Sequence, residues 1–446
     1  MDTHSQSRRH STPALAGGFL CAWARLVGAA PLPRVPRRRG RKPGVPLSDL
    51  LAALTYHVVQ GAGTLSEHFT QLFGTSLADS SWSDRRQRLP WDIFAELMHR
   101  VLKPRARPAH ADAFWRGWRL LALDGTQFSL TNTAQVRAAR PKARSRRGRA
   151  AFAKLTTAVL VELGLHNPVA AAIGRAGESE WVLARETLAA LPAQALLLGD
   201  RLYGCAAFAV HAWAACQRVG SHFLFRARML IKPETITRLR DGSRLIRVPV
   251  RDPHQSNRIV EWLEVREIRL RVGRPGHRAR VLRLWTSLLD PRTAPALELA
   301  QLYARRWEHE LYFREIKRTL RKTAVLQSHT VETGAQEVAA LVLASAVLAH
   351  ERATAAGDAV PPLRISFAKL LLATQAMWLT VAVSDGVITE RQLQTIVTRG
   401  YAFMRQCLTP PRRSRSCPRK VRQPIKRWPR LMRNESVEGP FHLEIL

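Results

Sequence analysis

Two short apolar runs that each stop at an aspartate constrain this chain more than any other feature. WRLLALDG ends in Asp124 and Gly125, and ALLLGD ends in Asp200. Each is short and apolar along nearly its whole length, the pattern of a strand buried on both faces. KLTTAVLVEL and NPVAAAIG, which lie between them, read as two more strands, and ESEWVLARETLAAL as an amphipathic helix. CAAFAVHAWAACQR then reads as a helix and SHFLFRAR as a strand. Three early strands, a helix, then strand and helix predict a mixed α/β sheet covered by helices. An aspartate at the C-terminal end of a buried strand emerges at the sheet rim, where α/β active sites gather. Asp-Gly after a strand is also simply a turn, so neither aspartate alone decides the matter. On adjacent strands about 4.8 Å apart, however, two rim carboxylates can share or flank a divalent cation.

At 446 residues the chain exceeds what one hydrophobic core usually serves, and it divides by pattern. Residues 1–112 read as helical, with Leu47, Leu50, Leu51, Leu54 and Val58 forming one apolar stripe. Residues 113–330 carry the α/β pattern. Within them, from about 228 to 291, the periodicity shifts to two: IRLRV and RVLRLW flank the turn GRPGH, a β-rich insertion. A long helix is expected from about Pro295 to Leu320, further helices over 331–409, and a basic, mostly extended tail over 410–446. The most apolar helical run, about Val338 to Ala349, falls short of a span of about 20 residues. PALAGGFLCAWARLVGAAP imitates an export signal, but Arg25 interrupts it and an amphipathic helix is expected.

Lysine and arginine number 70 against 34 acids, a net charge of +36, which points to a polyanionic partner, most simply nucleic acid. The excess is unevenly spread: a basic arm at 34–42, seven basic residues from Arg137 to Arg149, and the tail. Arg85, Arg86, Gln87 and Arg88 on the short helix SSWSDRRQRL are candidates for base contacts. Five cysteines with no C-x-x-C pair argue against a disulfide framework or a structural zinc, and fit a reducing, cytoplasmic setting.

The chemistry concentrates in LYARRWEHELYFREIKRTL. At about 100° per residue, Tyr303, Arg306, Glu310 and Lys317 share one narrow helix face, and Arg314 and Arg321 fall on the same side. Glu308 and Glu315 point roughly 120–140° away, and His309 reads as a packing or surface residue. A carboxylate among cations and a tyrosine hydroxyl is what a metal-dependent phosphodiester site needs: acid for the cation, base for the phosphates. An exposed helix laced with ion pairs is the plainer alternative.

The spacing Tyr303-x2-Arg306-x3-Glu310-x6-Lys317, together with LALDGT and LGDRLYG, resembles the insertion-sequence-4 family of bacterial DDE transposases. The resemblance runs from about Pro33 to Arg430. It implies a ribonuclease-H-like mixed sheet flanked by helices, an inserted β-rich subdomain and a helical N-terminal DNA-binding domain. By position, it assigns Asp124, Asp200 and Glu310 to catalysis and to two Mg²⁺ ions, for which Mn²⁺ can substitute. Tyr303, Arg306 and Lys317, with Arg314 and Arg321 beside them, take DNA-binding roles. The expected partners are terminal inverted repeats and target DNA, with a homodimer in a synaptic complex, dimerising through 331–409, at the nucleoid and without a membrane. Some relatives stack a flipped base on a tryptophan of the β insertion; Trp262 and Trp285 are available but read more simply as core aromatics. A catalytically inactive or domesticated DNA-binding descendant is the alternative.

Overall fold

The computed structural model describes residues 18–28, 32–33, 45–145, 148–252, 254–255, 258–274, 277–410 and 442–445. The basic arm at 34–42, Arg146 and Arg147 of the central basic run, and tail residues 411–441 lie outside the described residues.

Five helices come first: α1 (Phe19–Val27), α2 (Leu47–Gln60), α3 (Leu65–Phe73), α4 (Asp79–Gln87) and α5 (Trp91–Val101). Then follow β1 (Phe114–Trp115), β2 (Trp118–Ser129), α6 (Ala134–Ala139), the two-residue strands β3 (Arg144–Ser145) and β4 (Gly148–Arg149), β5 (Lys154–Glu162), β6 (Asn167–Gly174) and α7 (Glu180–Thr187). Next come β7 (Ala195–Gly204), α8 (Ala206–Arg218), β8 (His222–Ala227), β9 (Glu234–Arg238), β10 (Arg244–Arg251), β11 (Ile259–Arg274) and β12 (His277–Thr286). The chain continues with α9 (Ala296–Tyr303), α10 (Trp307–Arg314), α11 (Val331–Ala356), α12 (Phe367–Ser384), α13 (Glu390–Gln406) and β13 (His442–Ile445).

The main sheet runs β6-β5-β2-β7-β8-β12-β11-β10-β9. β5 lies antiparallel to both β6 and β2, whereas β2, β7 and β8 are mutually parallel. This is a mixed sheet with helices on both faces, as the alternation of strands and helices predicts. Along β2 the side chains alternate: Leu121 and Leu123 enter the core with α7 and α8, Leu120 and Ala122 the core with α9. All four are fully buried, the consequence of a strand covered on both sides.

The β-rich insertion is part of this sheet. β12 pairs with β8, and β11, β10 and β9 continue the same order outward. Ile246, Val248, Leu263 and Val265 pack into the core beneath α8, so the insertion shares its hydrophobic face with the central strands. β13, inside the stretch read as an extended tail, is a strand on β11, with Ile445 opposite Leu270.

The helices before β1 and after residue 331 also share a core. Trp23, Leu51, Phe94, Val342, Leu370 and Trp378, from α1, α2, α5, α11 and α12, belong to one apolar cluster. Arg25 of α1 pairs with the buried Glu351 of α11 at 2.6 Å, joining segments read separately as 1–112 and 331–409. The helix α11 is 26 residues long, well beyond the run from Val338 to Ala349. By length and composition α11 and α12 could cross a membrane, but 89% of the apolar window of α11 is buried inside the protein. Its apolar sides are consumed by α2, α5, α13 and β6 around it.

Two further expectations are corrected. Arg86 is not free to read bases: its guanidinium donates to Gln336 Oε1, Ser328 Oγ and the Thr333 carbonyl, tying α4 to α11. Trp262 is not a core aromatic, being 36% exposed with Arg247 4.6 Å over its ring; Trp285 is, with its indole N–H on buried Glu267.

Candidate active site

β2 and β7 run in register only as far as Leu123 opposite Gly199. Beyond that pair β2 stays with β5, while β7 also leaves its register with β8 and meets it again only at Gly204, so the strands part at Asp124 and Asp200, the rim position where α/β sheets open a crevice. Each aspartate is oriented by its own backbone. Asp124 Oδ1 accepts the Gly125 N–H at 2.9 Å, and Asp200 Oδ1 accepts the Leu202 N–H at 2.6 Å.

The helix expected from Pro295 to Leu320 is not uniform. α9 tightens into a 3₁₀ turn at Ala304–Arg306, α10 follows, and a π turn occupies Glu315–Leu320. Such turns change the angular step, so 100° arithmetic drifts along the segment. The change of pitch keeps Ile316 and Leu320 in the core while Lys317 reaches a strand. Tyr303 donates to the Gly199 carbonyl at 3.2 Å, beside Asp200. Arg306 sits between two acids, 3.0 Å from Glu310 Oε1 and 3.5 Å from Asp124 Oδ2. Lys317 Nζ donates to the Gln127 carbonyl of β2 at 2.8 Å.

The structure thus places Tyr303 and Arg306, with Glu310 on Arg306, against the two aspartates. Lys317 and Arg321 lie further along β2, over the Phe128 ring at 5.2 and 5.4 Å, and Arg314 is exposed. The neighbouring residues do structural work. Glu308 holds Arg305 and the Gly164 N–H, Glu315 holds His166 and Arg352, and His309 is fully buried against the Val159 carbonyl.

One carboxylate at this rim was missed. Glu180, the first residue of α7, accepts the Tyr203 hydroxyl at 2.9 Å. A Cβ on Gly125 would lie 2.1 Å from the Glu180 carboxyl carbon, so any larger residue there would have to push this carboxylate aside. In sequence Glu180 looks like an ordinary first-turn acid after the N-cap Ser179, and nothing local distinguishes it.

The crowding of acids shows in their protonation. Burial and the facing Asp200 charge push the Asp124 pKa up to about 7, against a downward pull from the Gly125 N–H and Arg306. Burial raises Glu180 as well, with Asp200 adding to it. Burial also takes the Tyr303 hydroxyl to about 12, so it remains a donor at neutral pH.

These residues suit a hard cation in chemistry. The donors are carboxylate oxygens, the set preferred by Mg²⁺ and Mn²⁺, and the Arg306 guanidinium already places positive charge between Asp124 and Glu310. Among the described residues no three such side chains stand at ligating distance together, and Glu310 is paired with Arg306.

A pH prediction follows. An acid with a folded pKa near 7 and an unfolded value near 3.9 favours folding fully below about pH 4, an advantage lost as pH rises through 7. In chelator, Asp124→Asn should therefore raise the melting temperature at pH 8 and leave it unchanged below about pH 4. An equal shift at both pH values in thermal melts would show that the effect is packing, not charge.

Residues 115–346 match the family model described as Transposase DDE domain, and the chain belongs to that family of DDE transposases. Over 361 residues it is 28% identical to the transposase InsG for insertion sequence element IS4 of Escherichia coli (strain K12), covering 79% of this chain and 78% of that protein. That similarity agrees with the resemblance carried by the spacing of the tyrosine, arginine, glutamate and lysine. Among solved structures it is similar to the cryo-EM structure of a piggyBac transposase synaptic complex with hairpin DNA, at TM-score 0.44 and 10% identity, covering 87% of this chain and 83% of that one.

Proposed function

We propose that the protein excises and inserts its own element by metal-dependent phosphodiester chemistry at Asp124, Asp200 and Glu310, on a ribonuclease-H-like core. The observation that carries this reading is the meeting of the two rim aspartates with Tyr303 and Arg306 of the signature helix. The strand order, with one antiparallel strand on β2 and two parallel strands beyond it, supports that core.

Asp124, Asp200 and Glu310 would hold two Mg²⁺ ions, which supply Lewis-acid polarisation of the phosphate and activation of a water or 3′ hydroxyl. The remaining roles belong to the chain. Tyr303, anchored on the Gly199 carbonyl, fixes the helix over the crevice. Arg306 leaves the carboxylates for the scissile phosphate, where its planar fork suits two oxygens. Lys317 holds the strand further from the cut. Hydrolysis at each element end releases a 3′ hydroxyl; in-line attack by that hydroxyl on a target phosphate forms the new ester and expels the neighbouring 3′ oxygen. We place the terminal inverted repeats on the helical N-terminal region and the basic segments, with a homodimer holding both ends in the cytoplasm at the nucleoid.

The test is a plasmid carrying the DNA that flanks this gene. Wild-type protein with Mg²⁺ should nick at the ends of flanking inverted repeats and join the 3′ ends to a second DNA. Binding without any nicking in Mg²⁺ or Mn²⁺ would favour the inactive, DNA-binding descendant. Nicking without joining would make it a nuclease. Lys317→Ala should weaken engagement of the cut end far more than it lowers the melting temperature; equal losses in both would leave Lys317 a structural residue.

A further inference from the structure

β2 continues past Asp124 as Gly125 to Ser129, paired with the start of β5, and this extension carries cations that the signature does not mark. Lys154, opposite Ser129 in the register, donates from Nζ to Ser129 Oγ at 2.6 Å. Arg140 of the segment after α6 donates to the Lys154 carbonyl at 3.4 Å. On the facing side stand Lys317, on the Gln127 carbonyl, and Arg321, on the Ala324 carbonyl, both over the Phe128 ring. Among the described residues the acceptors of all four are carbonyls or a hydroxyl, not carboxylates, and Arg321 Nε is buried without an acceptor. Burial, Arg321 and Lys154 together depress the Lys317 pKa to about 8, the mark of cations crowded together. Glu337 is the acid that bears on Arg321, and its oxygens are taken by the Gln327 and Ser328 N–H groups and the Ser328 hydroxyl.

We propose that Lys154 and Arg140, with Lys317 and Arg321, form a second phosphate-binding subsite that grips the DNA strand beyond the scissile phosphate. At about 3.3 Å per residue, Gln127 lies ~10 Å and Ser129 ~17 Å along β2 from Asp124, so a strand entering the acid rim passes these cations in order. Mutual repulsion among unpaired cations is relieved by a polyanion laid along them, and the Ser129 hydroxyl orients Lys154 toward that path. This rests on the transposase reading of the acid rim. It adds a residue, Lys154, with a definite position on the DNA.

The experiment uses full-length protein and a duplex ending in the inverted repeat that flanks the gene, with single phosphates replaced in turn by neutral methylphosphonate. Wild type should lose binding at a short block of positions next to the cut. Lys154→Gln should weaken binding roughly three- to tenfold, lower the salt slope by about one, and no longer respond to one position in that block. Lys154→Arg should keep the slope. A wild-type scan with no sensitive block, or a Lys154→Gln protein that keeps the full wild-type pattern and slope, overturns the subsite. The wild-type scan needs no variant to fold. Because wild-type binding and nicking are measured on the same duplex, failure of the transposase reading appears as their absence, and failure of the subsite as their survival without a Lys154 effect.

Discussion

Asp124→Asn, Asp200→Asn and Glu310→Gln should each reduce Mg²⁺-dependent nicking by at least about a thousandfold while leaving end binding within a few-fold of wild type. The basis is geometric. Asp124 and Asp200 leave adjacent parallel strands at one point, and Glu310 is joined to Asp124 through Arg306. Groups that act as a unit lose nearly everything when one is removed, so a double variant should be scarcely worse than a single one. Arg306→Ala should fall in the same range, because it removes both the link between the acids and the phosphate contact proposed for it. Gel-shift titrations beside single-turnover nicking separate the two effects. Nicking that survives Asp200→Asn at wild-type rate would remove the aspartate pair from the mechanism.

The largest stability effect is expected far from the rim, at Glu267. This carboxylate is fully buried in β11 and accepts from Arg244, Arg283 and the Trp285 indole. Arg283 is itself only 5% exposed, with its other donors on the carbonyls of Arg228, Met229 and Ile231. Glu267→Ala strands that guanidinium inside the protein, which costs about 3–5 kcal/mol, whereas removing an exposed ion pair costs under about 1 kcal/mol. The exposed pair Arg88–Asp84, at 3.5 Å, is the internal comparison. Urea denaturation should show a large fall in midpoint for Glu267→Ala and almost none for Arg88→Ala. Similar midpoints would mean that the β10–β12 region relaxes around the lost charge.

Much of the central sheet was legible because its information is local. Apolar runs of strand length that each reach an aspartate, and the shift to period two near 228, follow from neighbouring residues; that β2 runs on past Asp124 to Ser129 and β7 past Asp200 to Gly204 does not. The signature helix was legible as a spacing, but not as a shape. Its π turn arises where Ile316 and Leu320 must meet the core shared with α11 while Lys317 meets β2, a compromise between distant partners. Arg86 misled for the same reason: on its own helix it is one of a basic cluster, and only Ser328, Thr333 and Gln336 make it an internal tie.

By itself, then, the amino-acid order determined the strand and helix alternation, the two rim aspartates and the spacing that marks the family. Periodicity and chain-end chemistry depend on residues a few positions apart. Tertiary structure alone decided that the first and last helices share one core, that the β insertion extends the central sheet, and that Glu180 and Lys154 stand beside β2. Those outcomes depend on which buried surfaces and unpaired polar groups find each other across long separations, and no local pattern encodes that choice.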